Sequence, residues 1–154
     1  MSLTTTSLTR AAGLCAVAGG LLFAAVQINH PPVDLALVST TEWTIRQSMK
    51  VAMAVLTLTG ISGMYLSQVR RNGVLGLIGY LVISLGFLTM LTVEVAGLVI
   101  LPAIAGSSPG YVSSVLAVAT NGTATQDIGL LAPLNLLAGI GYMAGGLLFG
   151  IALF

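Results

Sequence analysis

The sequence predicts an all-α integral membrane protein, a four-transmembrane-helix bundle with short extracytoplasmic helices and both termini in the cytoplasm. Three observations lead there. Of 154 residues, only five are Lys or Arg and four are Asp or Glu, so long stretches carry no charge. Those stretches are about as long as a helix needs to cross a bilayer, roughly 20 residues at 1.5 Å each, and in lipid a spanning segment must satisfy its backbone internally. The composition is 56% hydrophobic with 19 glycines, and the mean hydropathy of +1.06 is far above that of a soluble domain of this length. One membrane domain, residues 1–154, accounts for all of it.

The first run extends from about Ala11 to Ile28, after Arg10 and a Ser/Thr-rich start. A short basic region before an apolar stretch is also the layout of a signal peptide. The run is long for that role, and Gln27, Asn29, His30, Pro31 and Pro32 offer no small-x-small cleavage site, so a span is expected. The second run, about Met49 to Ser67, ends at Gln68-Val69-Arg70-Arg71-Asn72-Gly73, a tight turn with a positive pair. The third, about Val74 to Ile104, is too long for one perpendicular crossing and must tilt or project beyond the lipid. The fourth, about Ile128 to Phe154, carries Pro133 near its start and several glycines further on. Phe154 stops inside an apolar run with no polar anchor after it, so a truncated longer protein is expected.

Two connections are long enough to hold structure of their own. The segment 32–48 reads as a short helix carrying Leu35, Leu37, Val38, Trp43 and Ile45. Ser108-Pro109 looks like a helix start for a segment 108–120, with Tyr111, Val112, Val115, Leu116 and Val118 on one apolar face until Asn121-Gly122 breaks it. Amphipathic pieces beside a membrane lie on its surface or cap the bundle, and Trp43 and Tyr111 suit that depth. Arg10, Arg70 and Arg71 flank one side of the spans, whereas Arg46 and Lys50 flank the other, accompanied by Asp34 and Glu42. The positive-inside rule then places both termini in the cytoplasm. The expected location is a cell membrane crossed several times, the inner membrane of a bacterium.

Small residues mark expected packing faces. Ala12, Ala16, Gly20 and Ala24 recur every four residues in the first helix, and Gly141/Gly145 and Gly146/Gly150 do so in the fourth, spacings that let backbones approach closely. The partner is either another helix of the chain or a second copy. Ala12-Gly13 and Ala18-Gly19-Gly20-Leu21-Leu22-Phe23 also recur as Ala138-Gly139 and Ala144-Gly145-Gly146-Leu147-Leu148-Phe149, in a helix of opposite direction. That is either the start of an inverted repeat or a coincidence in a chain rich in Gly, Ala and Leu.

The ionisable residues share a depth. Counting about 1.5 Å per residue from Arg10, Gln68 and Asn72 puts His30, Lys50 and Glu94 about 25–35 Å away, in one outer layer with Arg46. Because the second and third helices are joined by a turn near Arg71, Lys50 stands level with Glu94, and the two are expected to pair or to share that layer. Charged groups at the edge of a span pair or face a cavity, since stranding them in hydrocarbon costs roughly 2.5–3.5 kcal/mol even on lenient scales. A structural ion pair is one reading of the layer; a binding or proton-handling site built on Glu94 is the other.

Catalytic signatures are missing. The chain has one histidine and one cysteine, no zinc-type ligand spacing, no phosphate-binding loop and no nucleophile elbow. No catalytic, cofactor-binding or metal-binding residue is therefore assigned and no cofactor is expected. His30 with Glu94 or Asp34 would form an acid–base pair in principle, but a histidine preceding Pro31-Pro32 reads more simply as a loop cap. Cys15 lies in an apolar helix, where a thiol is inert. With a net charge of +1 and no basic cluster larger than Arg70-Arg71, nucleic acid is excluded as a partner. The lipid bilayer, other membrane subunits or a second copy are expected instead.

His30-Pro31-Pro32 closing the first helix, the short turn ending at Gly73, and Glu94 followed by Leu101-Pro102-Ala103 resemble a diffuse group of uncharacterised small multi-pass bacterial membrane proteins. Members of that group usually carry further helices after the equivalent of the fourth. The resemblance implies no activity, substrate or cofactor. The expected function is that of a non-enzymatic membrane protein, an accessory subunit or a small helical oligomer. The alternative is a small transporter or channel with its site around Glu94, and a membrane enzyme ranks third. A transporter needs a polar route into the membrane, and below the Glu94 layer the spans offer mostly Ser, Thr and Asn135.

Overall fold

The computed structural model describes residues 4–154, and residues 1–3 lie outside the described residues. The chain is 80% helical, with no strand among the described residues. In order, it forms α1 (Thr5–Gln27), α2 (Leu35–Val38), α3 (Thr41–Gln68), α4 (Gly73–Val95), a π-helical turn (Ala96–Ile100), α5 (Leu101–Ile104), α6 (Pro109–Ala119) and α7 (Leu131–Leu153). Four stretches are long and apolar enough to cross a membrane: Thr5–Gln27, Thr41–Gln68, Gly73–Ile104 and Leu131–Leu153. Their faces carry Leu14, Leu21, Leu81, Leu85, Ile140 and Leu147 exposed, as expected where lipid rather than water is the surrounding solvent.

The helix starts follow local capping chemistry. Thr4 and Ser7 make a reciprocal capping box that begins α1 six residues ahead of Ala11. At its other end Asn29 takes a left-handed φ of 48°, and Pro31-Pro32 cannot continue a helix. Thr40 accepts from the Trp43 amide at 3.2 Å, and Glu42 lies in the first turn, where a carboxylate favours the positive end of the helix dipole. The second span therefore starts at Thr41. Trp43, Ile45 and Arg46, expected in a separate cap helix over 32–48, are instead its first turns; only Leu35–Val38 is a separate element, capped by Asp34. No breaker stands between Thr41 and Gln68, so once capped the helix runs on.

Packing proceeds in chain order: α1 lies on α3, α3 on α4, and α4 on α7. Glycines bring α1 and α3, and α4 and α7, into close contact, whereas α3 meets α4 through side chains such as the stacked Tyr65 and Tyr80. A Cβ at Gly60 would sit 2.6 Å from the Ala16 Cβ, one at Gly19 2.6 Å from the Thr57 hydroxyl, and one at Gly141 2.7 Å from the Gly86 Cα, while Gly145 abuts the Ile83 backbone. The stripe expected on α1 is split by this geometry. Ala12, Ala16 and Gly19 face α3, whereas a Cβ at Gly20 meets nothing within 4 Å. A strict four-residue spacing turns about 40° per step around a helix of 3.6 residues per turn, so Gly20 has rotated off the seam and its neighbour takes the place. In α7, Gly141 and Gly145 pack against α4, Gly146 touches only the Ile83 side chain at 3.8 Å, and Gly150 has no neighbour within 4 Å. The echoed motif thus places its first paired glycine, Gly19 or Gly145, at a helix contact in both halves.

The third span, at 32 residues, is about 48 Å long, well beyond the roughly 30 Å of a hydrocarbon core. Its far end is covered by protein. Leu101 and Ala105 share a core with Val38, Trp43, Val112, Val115, Leu116 and Ile128, so α2, α5, α6 and the start of α7 build a cap at the end remote from Arg70-Arg71. The helix α6 closes with a Schellman motif: Gly122 donates to the Ala117 carbonyl at 2.7 Å and Asn121 to that of Val118 at 3.2 Å, with Asn121 at φ 62°. The buried Ser114 hydroxyl accepts from the amides of Thr125 and Gln126, tying the following loop back over the helix.

Gly145→Leu should lower thermal stability in detergent by the equivalent of about 1–3 kcal/mol, the usual penalty of overpacking, because its neighbour is backbone. Gly20→Leu should leave the melting temperature unchanged, since the site is open. Equal effects of both would contradict this arrangement of α1 and α7.

Candidate functional site at the cap end

Pro102 sets the local geometry of the third span. Its ring clashes with the carbonyl four residues back and it has no N–H, and the helix before it widens into the π turn Ala96–Ile100. There the Leu101 amide donates to Ala96 rather than Gly97. The Gly97 carbonyl has then lost its α-helical donor, and its π-register donor would be the nitrogen of Pro102. The Trp43 indole fills the gap, donating from Nε1 to Gly97 O at 2.9 Å in a buried setting. Gly97 leaves room for the Gln47 amide, which lies where a Cβ would be and would have to move for any larger residue.

One turn along α3 from Trp43 the side chains become polar. Trp43, Gln47 and Lys50 follow at i, i+4 and i+7 and present one helix face to α4. Lys50 Nζ lies 3.6 Å from Glu94 Oε2, with the two side chains 25% and 17% exposed. This is the level pairing that antiparallel register predicts. Gln47 is only 4% exposed, and its side chain has no protein hydrogen-bond partner among the described residues. Asn135 of α7 donates to the Val118 carbonyl at 3.3 Å. Sequence counting had put Asn135 below the Glu94 layer; it belongs to the layer, since α7 enters from the cap end and Asn135 is in its second turn.

Together these groups surround a cavity of about 170 Å³, bounded by His30, Gln47, Lys50, Glu94 and Asn135 on the polar side and by Leu37, Leu101, Val115 and Leu116 on the apolar side. His30 is exposed at its edge, its Nδ1 2.9 Å from the Pro31 carbonyl, in keeping with a loop cap. Arg46 reaches the same cavity, but its hydrogen bonds go elsewhere. Its guanidinium donates to the carbonyls of Val26 at 3.0 Å, Asn29 at 2.9 Å and Ile28 at 3.5 Å and to Glu42 at 3.0 Å. α1 has no basic residue in its last turn, so Arg46 supplies from α3 the cation and donors that its orphan carbonyls require.

The sequence thus placed His30, Arg46, Lys50 and Glu94 in one layer, and all four line one cavity. It missed Gln47 and the Trp43 lock. A polar residue at helical spacing between Trp43 and Lys50 was the available signal for Gln47; the lock needs the π turn, which no pattern in the sequence announces. Among the described residues no three His, Cys, Asp or Glu side chains gather as metal ligands would. No family model, curated protein or solved structure matches the chain.

Trp43→Phe leaves the Gly97 carbonyl buried and unpaired, which should cost about 1–3 kcal/mol of stability. Pro102→Ala permits a regular helix that reclaims that carbonyl, so the cost of Trp43→Phe should shrink in its background. A double-mutant cycle by thermal unfolding checks this, and strict additivity would contradict the link between Pro102 and Trp43.

Proposed function

We propose that the chain is a non-enzymatic multi-pass protein of a bacterial inner membrane that acts by assembly, as an accessory subunit or a small helical oligomer, with both termini cytoplasmic. The observation that carries this reading is on α7. Gly141 and Gly145 are used up against α4, yet Gly139 and Gly150 have open space where a side chain would be. They are eleven residues apart, within about 20° of the same direction on a helix of 3.6 residues per turn. Gly13 and Gly20 of α1, seven apart, are open in the same way. In lipid, small residues on an open helix face let another helix approach closely, and the occupant here is a helix of a second copy or of another membrane subunit. The orientation rests on the exposed Arg10, Arg70 and Arg71 at the turn end against Arg46 and Lys50 at the cap end.

A second reading, a small transporter or channel working around Glu94, is favoured by the cavity that joins Glu94 to Lys50 and His30. Against it, glycine-on-backbone contacts close the α4–α7 interface below that level at Gly86, Gly79 and Gly145.

Gly139→Leu/Gly150→Leu should abolish the assembly measured by native mass spectrometry from lipid nanodiscs or mild detergent, at unchanged thermal stability; an unchanged assembly sinks the reading. In a Cys15→Ser background, Thr123→Cys should react with a membrane-impermeant thiol reagent on intact cells and Val69→Cys, in the opposite turn, should not. The reverse pattern overturns the orientation. If Glu94→Gln abolishes a cellular activity while the protein stays folded and assembled, the transporter reading moves to first place.

A further inference from the structure

The Lys50–Glu94 pair is incomplete as a structural ion pair. At 3.6 Å it is longer than the roughly 2.7–2.9 Å of a charge-assisted hydrogen bond, and neither side chain makes another hydrogen bond among the described residues. An ammonium has three donors and a carboxylate about four acceptor sites, and a pair withdrawn from water is favourable only when such remaining capacity is met. Gln47, 96% buried by its 4% exposure, adds an amide with both ends unpartnered, and it lines the same cavity. Buried polar groups are almost always paired with protein or water, so whatever fills the cavity, water or a solute, meets the bonding capacity these three groups have left.

The occupant's chemistry follows from the walls. A cation would face Lys50, an anion would face Glu94, and an apolar solute would strip water from three polar groups and replace none of it. Arg46 does not shift this balance, because its donors are engaged by the end of α1 and by Glu42. A molecule with one ammonium and one carboxylate group meets both charges at once, and Leu101, Val115 and Leu116 accommodate a small apolar body between them. The volume of about 170 Å³ is below the roughly 300–1,000 Å³ of pockets for drug-sized ligands, which restricts the occupant to a small solute.

We propose that this cavity is a binding site for a small zwitterion, an α-amino acid with a short apolar side chain, held with its ammonium on Glu94, its carboxylate on Lys50 and its polar edge on Gln47. The site lies at the cap end and goes beyond the assembly reading: it holds whether α7 has a partner or not, and whether or not the solute crosses the membrane.

The test is equilibrium binding of radiolabelled L-alanine to the full chain in nanodiscs, with unfolding temperature read in parallel, since a ligand of the folded state raises it. Saturable binding at about one per chain is expected, with L-proline and glycine competing. Propionate and alaninamide, which each carry only one of the two charges, should compete at least tenfold less well. Lys50→Met/Glu94→Gln removes both charges together, a change that leaves no unpaired ion behind, and should weaken binding at least tenfold, as should Gln47→Leu; Gly20→Leu, far from the cavity, should bind as the parent does. Absence of saturable binding of all three zwitterions, equal competition by propionate or alaninamide, or undiminished binding by the double variant would each overturn the proposal. The competition series uses the parent chain alone, so it decides the matter even where a variant fails to fold. A chain that fails to bind yet still assembles refutes only this site, and the converse refutes only the assembly.

Discussion

A backbone carbonyl inside a membrane helix has no water to turn to, and an unpaired one costs several times what a hydrogen bond contributes when both partners are present. Pro102 creates that problem at Gly97, first by displacing the helix into a π turn and then by having no N–H to offer in the new register. The Trp43 indole answers it from α3 at 2.9 Å. Because the indole is held there, the α3 face that follows it, Gln47 and then Lys50, is fixed against α4 at the level of Glu94. The apolar side of the same tryptophan sits in the cap core with Leu101, Val112 and Leu116. The turn at Arg71 sets the register of the two central spans, and this hydrogen bond locks their far ends, anchors the cap and positions the polar wall of the cavity.

The two ends of the molecule solve different problems. Along the spans there is no hydrophobic gain in bringing helices together, since lipid tails are as apolar as leucine, and cohesion comes from glycine and alanine letting backbones touch at Gly60, Gly86, Gly141 and Gly145. At the cap end the α1 helix stops, a short element and α6 turn over the bundle, and polar groups have to be satisfied one by one. Arg46 on the last carbonyls of α1, Ser114 on the amides of Thr125 and Gln126, and Trp43 on Gly97 are three instances of the same requirement. Gln47, Lys50 and Glu94 have bonding capacity left over and line one cavity, whereas the other buried side-chain atoms without a partner, those of Asn72 and Ser84, lie away from it.

The spans were legible because they depend on apolar runs of a given length, and the Lys50–Glu94 level was legible because counting residues on either side of Arg71 needs only the rise of a helix. What failed did so for identifiable reasons. The start of α3 at Thr41 depends on a single capping hydroxyl at Thr40, and the polar residues after it disguised a continuous helix as a separate cap segment. Gly20 and Gly19 differ by 100° around α1, finer than a spacing of four residues resolves. Asn135 was misplaced in depth: with α7 beginning at Leu131 rather than about Ile128, it lies nearer the cap end. The π turn and the attachment of Arg46 to α1 depend on where two distant segments meet, and neither leaves a local trace in the chain.

The central claim is the bond between Trp43 and Gly97, and the chain's only tryptophan makes it directly observable. In a nanodisc sample labelled with ¹⁵N-tryptophan, the single indole N–H signal reports this contact and nothing else. One indole resonance is expected, with a hydrogen that exchanges with deuterated solvent as slowly as the core amides of α4. An indole that exchanges as fast as a solvent-exposed tryptophan, or that gives several resonances of comparable intensity, would contradict it.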